Sequence, residues 1–177
     1  GGTYFIGVPP PKEGEKAVDF SFDNERPGHE FEIESFRIAK TLVSLGEYAQ
    51  FVDDGGYGES SWWSFGGNYW RKKFQREHPI YWKRDGDSWA VRRFDQLHPL
   101  DPQSPMLQLS FWEAEAFANW SWRRLPTEYE WEVAARGMEA RKFPWGSTMP
   151  ASPPAVLECK NLATAPVTAH PDGASSC

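Results

Sequence analysis

Apolar residues recur at helical spacing in three segments of the chain, and each segment begins with the same pair of polar residues. A serine or threonine is followed three positions later by a glutamate in Ser44–Glu47, Ser110–Glu113 and Thr127–Glu130. The hydroxyl of such a pair accepts a hydrogen bond from an amide of the first helical turn, and the glutamate accepts one from the amide of the capping residue. The pattern therefore predicts three short helices, the first ending at Gly55-Gly56 and the third at Gly137.

Alternation with a period of two residues predicts strands between these helices. Residues 29–33 (HEFEI) place Phe31 and Ile33 on one face and the intervening glutamates on the other, solvated face. Further strands are predicted at residues 2–7, at residues 81–94 as a hairpin turning at Asp85-Gly86, and at residues 105–110.

Aromatic residues make up 16% of the chain, include ten tryptophans and are dense between residues 57 and 94. Lysines and arginines are interleaved with them, which is typical of a recognition surface that stacks rings and cations on a ligand. The alternative is a small core under long loops with cations at its rim, and we favour it because such loop cores are common. For the recognition surface, the candidate substrate-binding residues are Trp62, Trp63, Trp70, Tyr81 and Trp82.

Length and charge exclude several classes of protein. A chain of 177 residues suffices for one domain with a core, and 40% hydrophobic with 25% charged residues is typical of globular proteins. The net charge of −6 argues against binding nucleic acid, and no apolar run approaches the ~18 residues of a membrane span. The two cysteines are too few for a disulfide framework, so we predict a cytoplasmic location.

The ends of the chain predict that it is part of a larger protein. It begins at Gly1-Gly2 without a methionine and stops at Cys177, in a stretch rich in proline, glycine and serine. We therefore expect a functional site to draw on residues that precede or follow these 177.

The sequence contains no complete catalytic or metal-binding motif. Its four histidines form no H-x-x-x-H or H-x-E pair, and a nucleophile elbow, a phosphate-binding glycine loop and a redox-spaced cysteine pair are all missing. One alternative remains, a facial metal triad made of His78, His98 and Asp101.

Residues 110–137, SFWEAEAFANWSWRRLPTEYEWEVAARG, resemble the signature of the formylglycine-generating-enzyme, or sulfatase-modifying-factor, superfamily. Further matches follow the family order in GGTYFIG, DNERPGHEFEIESFRIAK, GEYAQFVDDGGY, KFPWG, and Asn161 followed by APVTAHPDGAS. The resemblance covers nearly the whole chain and identifies residues 1–177 as a partial domain of this type. It implies a C-type-lectin-like α+β fold with short helices, an irregular sheet and many loops.

Within the superfamily, these motifs and HPIYWKRDGDSWAVRRFD look most similar to the C-terminal domain of ergothioneine-type sulfoxide synthases and their selenoneine-forming relatives. The resemblance implies that iron(II) and oxygen join a thiol or selenol donor to trimethylhistidine. It places the iron ligands in an N-terminal helical bundle, so no iron ligand is assigned to this chain. The expected partners are that bundle, the missing C-terminal strands and small-molecule substrates, and the 177 residues alone are expected to be inactive.

Departures from the family pattern bear on three further residues. The resemblance implies a calcium-like site at Asn161 and Leu162, although the acidic insert that completes it in formylglycine-generating enzymes is missing. Trp122 stands where the family pattern usually has glycine, and it is strained if the position requires a left-handed backbone.

Two other functions remain open on the sequence alone. Formylglycine generation on sulfatases requires a cysteine pair beyond Cys177, because Cys159 and Cys177 precede the place of that pair in the family. A lectin-like binding module without catalysis is the second, since the fold supports variable ligand-binding loops.

Overall fold

The computed structural model describes residues 1–9, 20–157 and 163–175. These residues contain five strands and four α-helices. In chain order they are β1 (Gly2–Ile6), β2 (His29–Ile33), α1 (Leu45–Asp53), α2 (Phe65–Lys73), β3 (Trp82–Asp85), β4 (Ser88–Arg93), β5 (Gln96–Pro99), α3 (Phe111–Trp120) and α4 (Glu128–Arg136). Short helices in series with small antiparallel sheets confirm the predicted α+β class.

The three predicted helix starts are confirmed, each with its reciprocal pair of hydrogen bonds. In α1 the amide of Ser44 donates to Glu47 Oε2 over 2.8 Å, and the amide of Glu47 donates back to Ser44 Oγ over 3.2 Å. The same arrangement begins α3 at Ser110 and α4 at Thr127. Helix α4 ends at Gly137 with a φ of 67°, as predicted.

The chain divides into two compact units, and the first comprises Gly1–Ala39, Pro126–Ala155 and His170–Cys177. In it β1 and β2 pair antiparallel, with Tyr4 opposite Phe31. Val133 of α4 packs against Ile6 and Ile33 to form its small core. The glutamates of β2 are exposed, as the alternation predicts.

The second unit comprises Lys40–Leu125 and Val156–Ala169. Its core is built from α1, α3 and the strands β3 and β4 of the three-stranded sheet β3-β4-β5, with Tyr48 and Phe51 of α1 fully buried. Tyr57, Trp63, Trp82 and Trp89 belong to the same buried cluster. The favoured core interpretation is thus correct for these four residues, although they join the main core of the unit and not a satellite.

The hairpin prediction is correct in kind and wrong in register. Asp85 pairs with Ser88, so the two-residue loop is Gly86-Asp87 and not Asp85-Gly86. Gly86 has a φ of 61°, which suits glycine at the first loop position better than aspartate.

Three other elements differ from the sequence-based expectations. Helix α2 and strand β5 have no counterpart among them. The strand predicted at residues 105–110 is wrong, because only Pro105 makes a bridge, to Ser44, and Gln108 has a φ of 61° that interrupts an extended backbone.

Two further expectations concern the backbone at Trp122 and the presence of a membrane span. Trp122 follows α3 with a φ of 57°, so a tryptophan does occupy a left-handed position. No helix within the described ranges is long and apolar enough to cross a membrane.

Candidate functional site

A cavity of about 390 Å³ lies in the second unit beside the β3–β4 hairpin. Its lining comes from the first residue of α1, from the end of β4 with the residue that follows it, and from three other segments. These segments contribute Pro79, Tyr81 and Trp82, then Pro105, Leu107 and Gln108, and then Ala163 and Thr164. A volume of this size falls within the range of small-molecule sites. The cavity is therefore the candidate binding site of this unit.

Backbone hydrogen bonds of the hairpin hold one wall of the cavity. The amide of Trp82 donates to the carbonyl of Pro79 over 3.0 Å, and the amide of Arg92 donates to the carbonyl of Tyr81 over 2.7 Å. Trp82 also lies opposite Val91 in the ladder between β3 and β4. The hydrogen bonds and the register thus place Tyr81 beside Arg92 and Trp82 beside Val91 in the wall of the cavity.

The charge of the lining has a single sign. Among the described residues that line the cavity, Arg92 and Arg93 carry the only charges, and the polar groups are those of Tyr81, Gln108 and Thr164. The rest of the lining is mainly aliphatic or aromatic. Such a lining attracts an anionic group and accommodates an apolar body.

Two residues of the lining have an unfavourable backbone conformation. Phe94 has a φ of 54° and Gln108 a φ of 61°, in the left-handed region that residues other than glycine, asparagine and aspartate rarely adopt. Phe94 is the first residue of the two-residue connection from β4 to β5, a position that usually holds glycine. Strain of this kind clusters at ligand-binding sites.

The structure does not gather the five predicted substrate-binding aromatics on one surface. Tyr81 and Trp82 border the cavity. Trp63 is 4% exposed, and its Nε1 donates to the carbonyl of Gly56 over 2.9 Å. Trp70 is half-buried and stacks on Trp63 at a centroid distance of 6.4 Å, while half-buried Trp62 accepts a hydrogen bond at its carbonyl from Asn119. Trp62, Trp63 and Trp70 are not among the residues that line the cavity.

A buried polar network lies within the core of the second unit. The hydroxyl of Tyr57 donates to Glu113 Oε1 over 2.6 Å, and the hydroxyls of Tyr48 and Tyr57 are 3.2 Å apart. Glu113 Oε2 accepts the amide and the hydroxyl of Ser110, so the carboxylate both starts α3 and holds the tyrosines. Burial is the main cause that raises the pKa of both Tyr48 and Tyr57 above the ordinary value. This network is structural, since its groups satisfy one another.

The metal predictions have different outcomes. Asn161 and Leu162, the predicted calcium-like site, lie outside the described residues. In the described part of the chain, no three metal-ligating side chains are grouped so that they could hold an ion, so the facial triad of His78, His98 and Asp101 is wrong. Asp101 instead accepts hydrogen bonds from the Ser104 hydroxyl and the Gln103 amide. By the same test the donor set of the described residues does not fit iron(II).

The fold is that of an α+β domain with one cavity described above, and comparison with known proteins identifies its family. Residues 2–172 match the sulfatase-modifying factor enzyme 1-like domain, so the chain belongs to this family. It is 40% identical over 161 residues to a hercynine oxygenase of Mycobacterium tuberculosis, which covers 89% of this chain and 37% of the relative. A hercynine oxygenase of Mycolicibacterium smegmatis is 39% identical over 180 residues, covering 99% of this chain and 40% of the relative.

A more distant group of relatives carries a second name. The formylglycine-generating enzyme of Thermomonospora curvata is 32% identical over 161 residues, covering 84% of this chain and 51% of that enzyme. The chain thus spans well under two thirds of the length of the relatives it matches.

The sequence-based candidates did not include the charged residues of the cavity or its residues with positive φ. Arg92, Arg93, Phe94 and Gln108 were not among the candidate site residues, yet all four line it. One local signal does exist, since the stretch RRFDQ joins two strands through Phe94-Asp95 without a glycine or an asparagine.

Proposed function

We propose that the chain is the substrate-binding domain of a longer, iron(II)- and oxygen-dependent sulfoxide or selenoxide synthase. This enzyme would join a thiol or selenol donor to trimethylhistidine. The observation that carries the proposal is the 40% identity, over 89% of the chain, to a protein named hercynine oxygenase. The iron ligands belong to the part of the longer protein outside these residues, as the family resemblance implies.

The proposed reaction balances with one molecule of oxygen for the sulfur case. An imidazole C–H bond and the donor's S–H bond break, and a C–S bond and an S=O bond form. The four electrons released reduce oxygen, of which one atom enters the sulfoxide and the other leaves as water with the two hydrogens. Iron(II) held by the rest of the longer protein would supply the oxygen chemistry, and this chain would contribute binding and orientation of the substrate.

Within the chain, Tyr81 and Trp82 are the residues we assign to substrate contact, because they border the cavity. Their rings suit an imidazole or a quaternary ammonium group. Tyr81 is the better target for mutation, since it is exposed whereas Trp82 belongs to the core.

Tyr81→Ala in the complete protein is expected to raise the KM for trimethylhistidine by roughly 5- to 30-fold and to leave kcat within about twofold, because an aromatic face contributes about 1–2 kcal/mol to binding a cation. Steady-state kinetics checks this. Tyr69→Ala, an exposed tyrosine on α2 that does not line the cavity, is the matched control and should keep the wild-type KM. Equal KM values for the two variants would remove Tyr81 from the substrate site.

Formylglycine generation on sulfatases is the second candidate, favoured by the 32% identity to the formylglycine-generating enzyme of Thermomonospora curvata. One experiment separates the two. The complete protein is loaded with iron(II) or copper(I) and exposed to oxygen, with trimethylhistidine plus cysteine in one arm and a cysteine-containing sulfatase peptide in the other. Mass spectrometry should detect the sulfoxide in the first arm. Formylglycine in the second arm alone would replace the proposal, and no product in either arm would favour a non-catalytic binding module.

A further inference from the structure

The first unit buries few large apolar side chains. Within the described ranges its core cluster holds three buried residues, Ile6, Ile33 and Val133, whereas the core of the second unit holds nine. At the same time Trp131, the largest apolar residue of α4, is 63% exposed. An indole of this kind can bury about 150–250 Å² of mainly apolar surface, so its exposure leaves a large contribution to stability unused.

Trp131 lies on the side of α4 opposite the sheet of the first unit. Tyr129 and Val133 pack against that sheet, and Trp131 is two positions from each of them. At about 100° per residue, two positions place the indole about 200° around the helix axis. Buried Ala134 and half-buried Ala135 flank it on the helix surface. The apolar positions of α4 thus run almost around the helix, which is typical of a helix covered on more than one side.

The charged side chains of α4 do not form a solvated face around the indole. Glu132 Oε1 accepts a hydrogen bond from the amide of Gly7 over 2.9 Å and also pairs with Arg136. Glu130 is buried, and its Oε2 accepts the amide of Thr127 over 2.8 Å. Three of the four charged side chains of α4 are thus engaged within the first unit. An exposed tryptophan on such a helix marks a contact surface better than an ordinary solvated one.

The length of the relatives and the position of the chain ends indicate what covers this side of α4. The chain covers 37% and 40% of two hercynine oxygenases, so most of each relative lies outside the matched region. Both ends of the described chain belong to the first unit. The amino group of Gly1 donates to Ser35 Oγ over 2.7 Å, and residues 170–175 form the other end. Polypeptide that continues from either end therefore starts within this unit.

We propose that polypeptide of the same longer protein, from outside residues 1–177, packs on the Trp131 face of α4, which comprises Trp131 and Ala135. The small side chain of Ala135 lets a neighbouring segment approach closely, and the indole is the apolar anchor of the contact. The covering segment is accordingly apolar where it meets the indole. This inference goes beyond the proposed function, because it concerns how the domain is completed and does not depend on which reaction the longer protein catalyses.

Hydroxyl-radical footprinting of the complete wild-type protein, read by mass spectrometry, measures the exposure of Trp131 directly. Trp122 is the matched control, because it is a tryptophan of the same chain, is highly exposed and lies in the second unit. A covered Trp131 should be oxidised at least about tenfold more slowly than Trp122. Similar oxidation rates at the two positions would overturn the proposal.

Photo-cross-linking identifies the segment that covers the indole. The complete protein carries the substitution Trp131→p-benzoylphenylalanine, and forms with light and heavy isotopes are mixed before irradiation. Cross-linked peptides should join residue 131 to a residue outside 1–177 of the same molecule. Cross-links between light and heavy molecules, which indicate a second copy, or cross-links confined to residues 1–177 would contradict the proposal.

A polar substitution tests the same face through stability. Trp131→Gln in the complete protein should lower the midpoint of thermal unfolding by at least about 5 °C, because it removes a buried indole and places an amide against an apolar segment. Trp122→Gln, the same exchange at an exposed position, should change the midpoint by less than about 2 °C. Equal midpoints would place Trp131 on a free surface and refute the proposal. Since footprinting uses the wild-type protein, it decides the question even if Trp131→Gln does not fold.

Discussion

Trp122 is the clearest single residue at which the structure departs from what its backbone prefers. It lies directly after α3 with a φ of 57°, at the position where helices usually end in glycine. Its side chain is 88% exposed and makes a ring contact with Trp62 at a centroid distance of 6.2 Å. We expect Trp122→Gly to raise the free energy of unfolding by about 1 kcal/mol, because relief of strain exceeds the loss of one exposed contact.

Urea unfolding of Trp122→Gly and Trp122→Ala separates backbone strain from ring packing. Alanine removes the same ring but keeps the Cβ atom that makes a left-handed backbone costly, so it should not stabilise the protein. A glycine variant no more stable than the alanine variant would mean that strain is not stored at Trp122.

At the residue scale, what the sequence predicts depends on whether a motif marks the position. Trp122 could be flagged because it replaces an expected glycine within a recognisable stretch. Phe94 and Gln108 lie outside such a stretch, and their backbone angles follow from the hairpin connection and from the path of residues 105–110, which local pattern does not specify.

Among the elements, α2 depends on a buried arginine that has neutral partners. Arg71 donates through Nη1 to the carbonyl of Tyr57 and through Nη2 to Asn68 Oδ1 over 3.0 Å. Its guanidinium lies 5.4 Å from the centroid of the Trp63 ring. The arginine fork thus ties α2 to the loop that precedes it, and no ion pair to Arg71 is found within the described residues.

Arg71→Lys is expected to lower the free energy of unfolding by roughly 2–3 kcal/mol, since an ammonium group cannot make both hydrogen bonds of the fork and stays buried with its charge. Chemical denaturation checks this. Arg76→Lys, the same substitution just beyond α2 at a residue with no side-chain hydrogen bond in the described part of the chain, should change it by less than about 0.5 kcal/mol. Similar losses in both variants would contradict the assigned role of Arg71.

The elements that sequence reasoning missed are those stabilised by tertiary contacts. Helix α2 contains Gly66 and Gly67, which disfavour helix, and its cap at Ser64 lacks the glutamate found in the other three. The structure shows why glycine is required at one of them, because a Cβ atom on Gly66 would lie 2.6 Å from the Trp112 ring of α3. The helices with capping boxes were predictable, since their start signals are local.

At the scale of the whole molecule, the order of the motifs along the sequence predicted the α+β class and the family but not the cavity. The cavity is assembled from residues as far apart as Leu45 and Thr164, and the contacts among these segments leave no periodic signal in the chain. The dense aromatic segment shows the same limit. Its composition was visible, yet only packing assigns Trp63 to the core and Tyr81 to the cavity.

The core of the second unit also makes the free energy of unfolding decrease as the pH rises into the alkaline range. Tyr48 and Tyr57 are neutral in the folded protein, and burial raises the pKa of each above the value of about 10 that an unfolded chain has. Below pH 10 both states keep the protons, so this contribution to stability is fully present. Above pH 10 the unfolded state loses two protons that the folded state retains, and the free energy of unfolding should fall by about 1.4 kcal/mol per pH unit for each tyrosine.

Unfolding in urea at several pH values between 8 and 11 measures this slope, and two phenylalanine variants assign it. Tyr57→Phe should be less stable at neutral pH, because Glu113 Oε1 loses its donor. Above pH 10 its free energy of unfolding should fall less steeply than that of the wild-type protein, by about 1.4 kcal/mol per pH unit. Tyr69→Phe removes an exposed tyrosine on α2 and should keep the wild-type slope. If both variants had the wild-type slope, the alkaline loss of stability would come from groups outside the core, and the hydrogen-bonded tyrosine pair would not be the proton-linked centre of this unit.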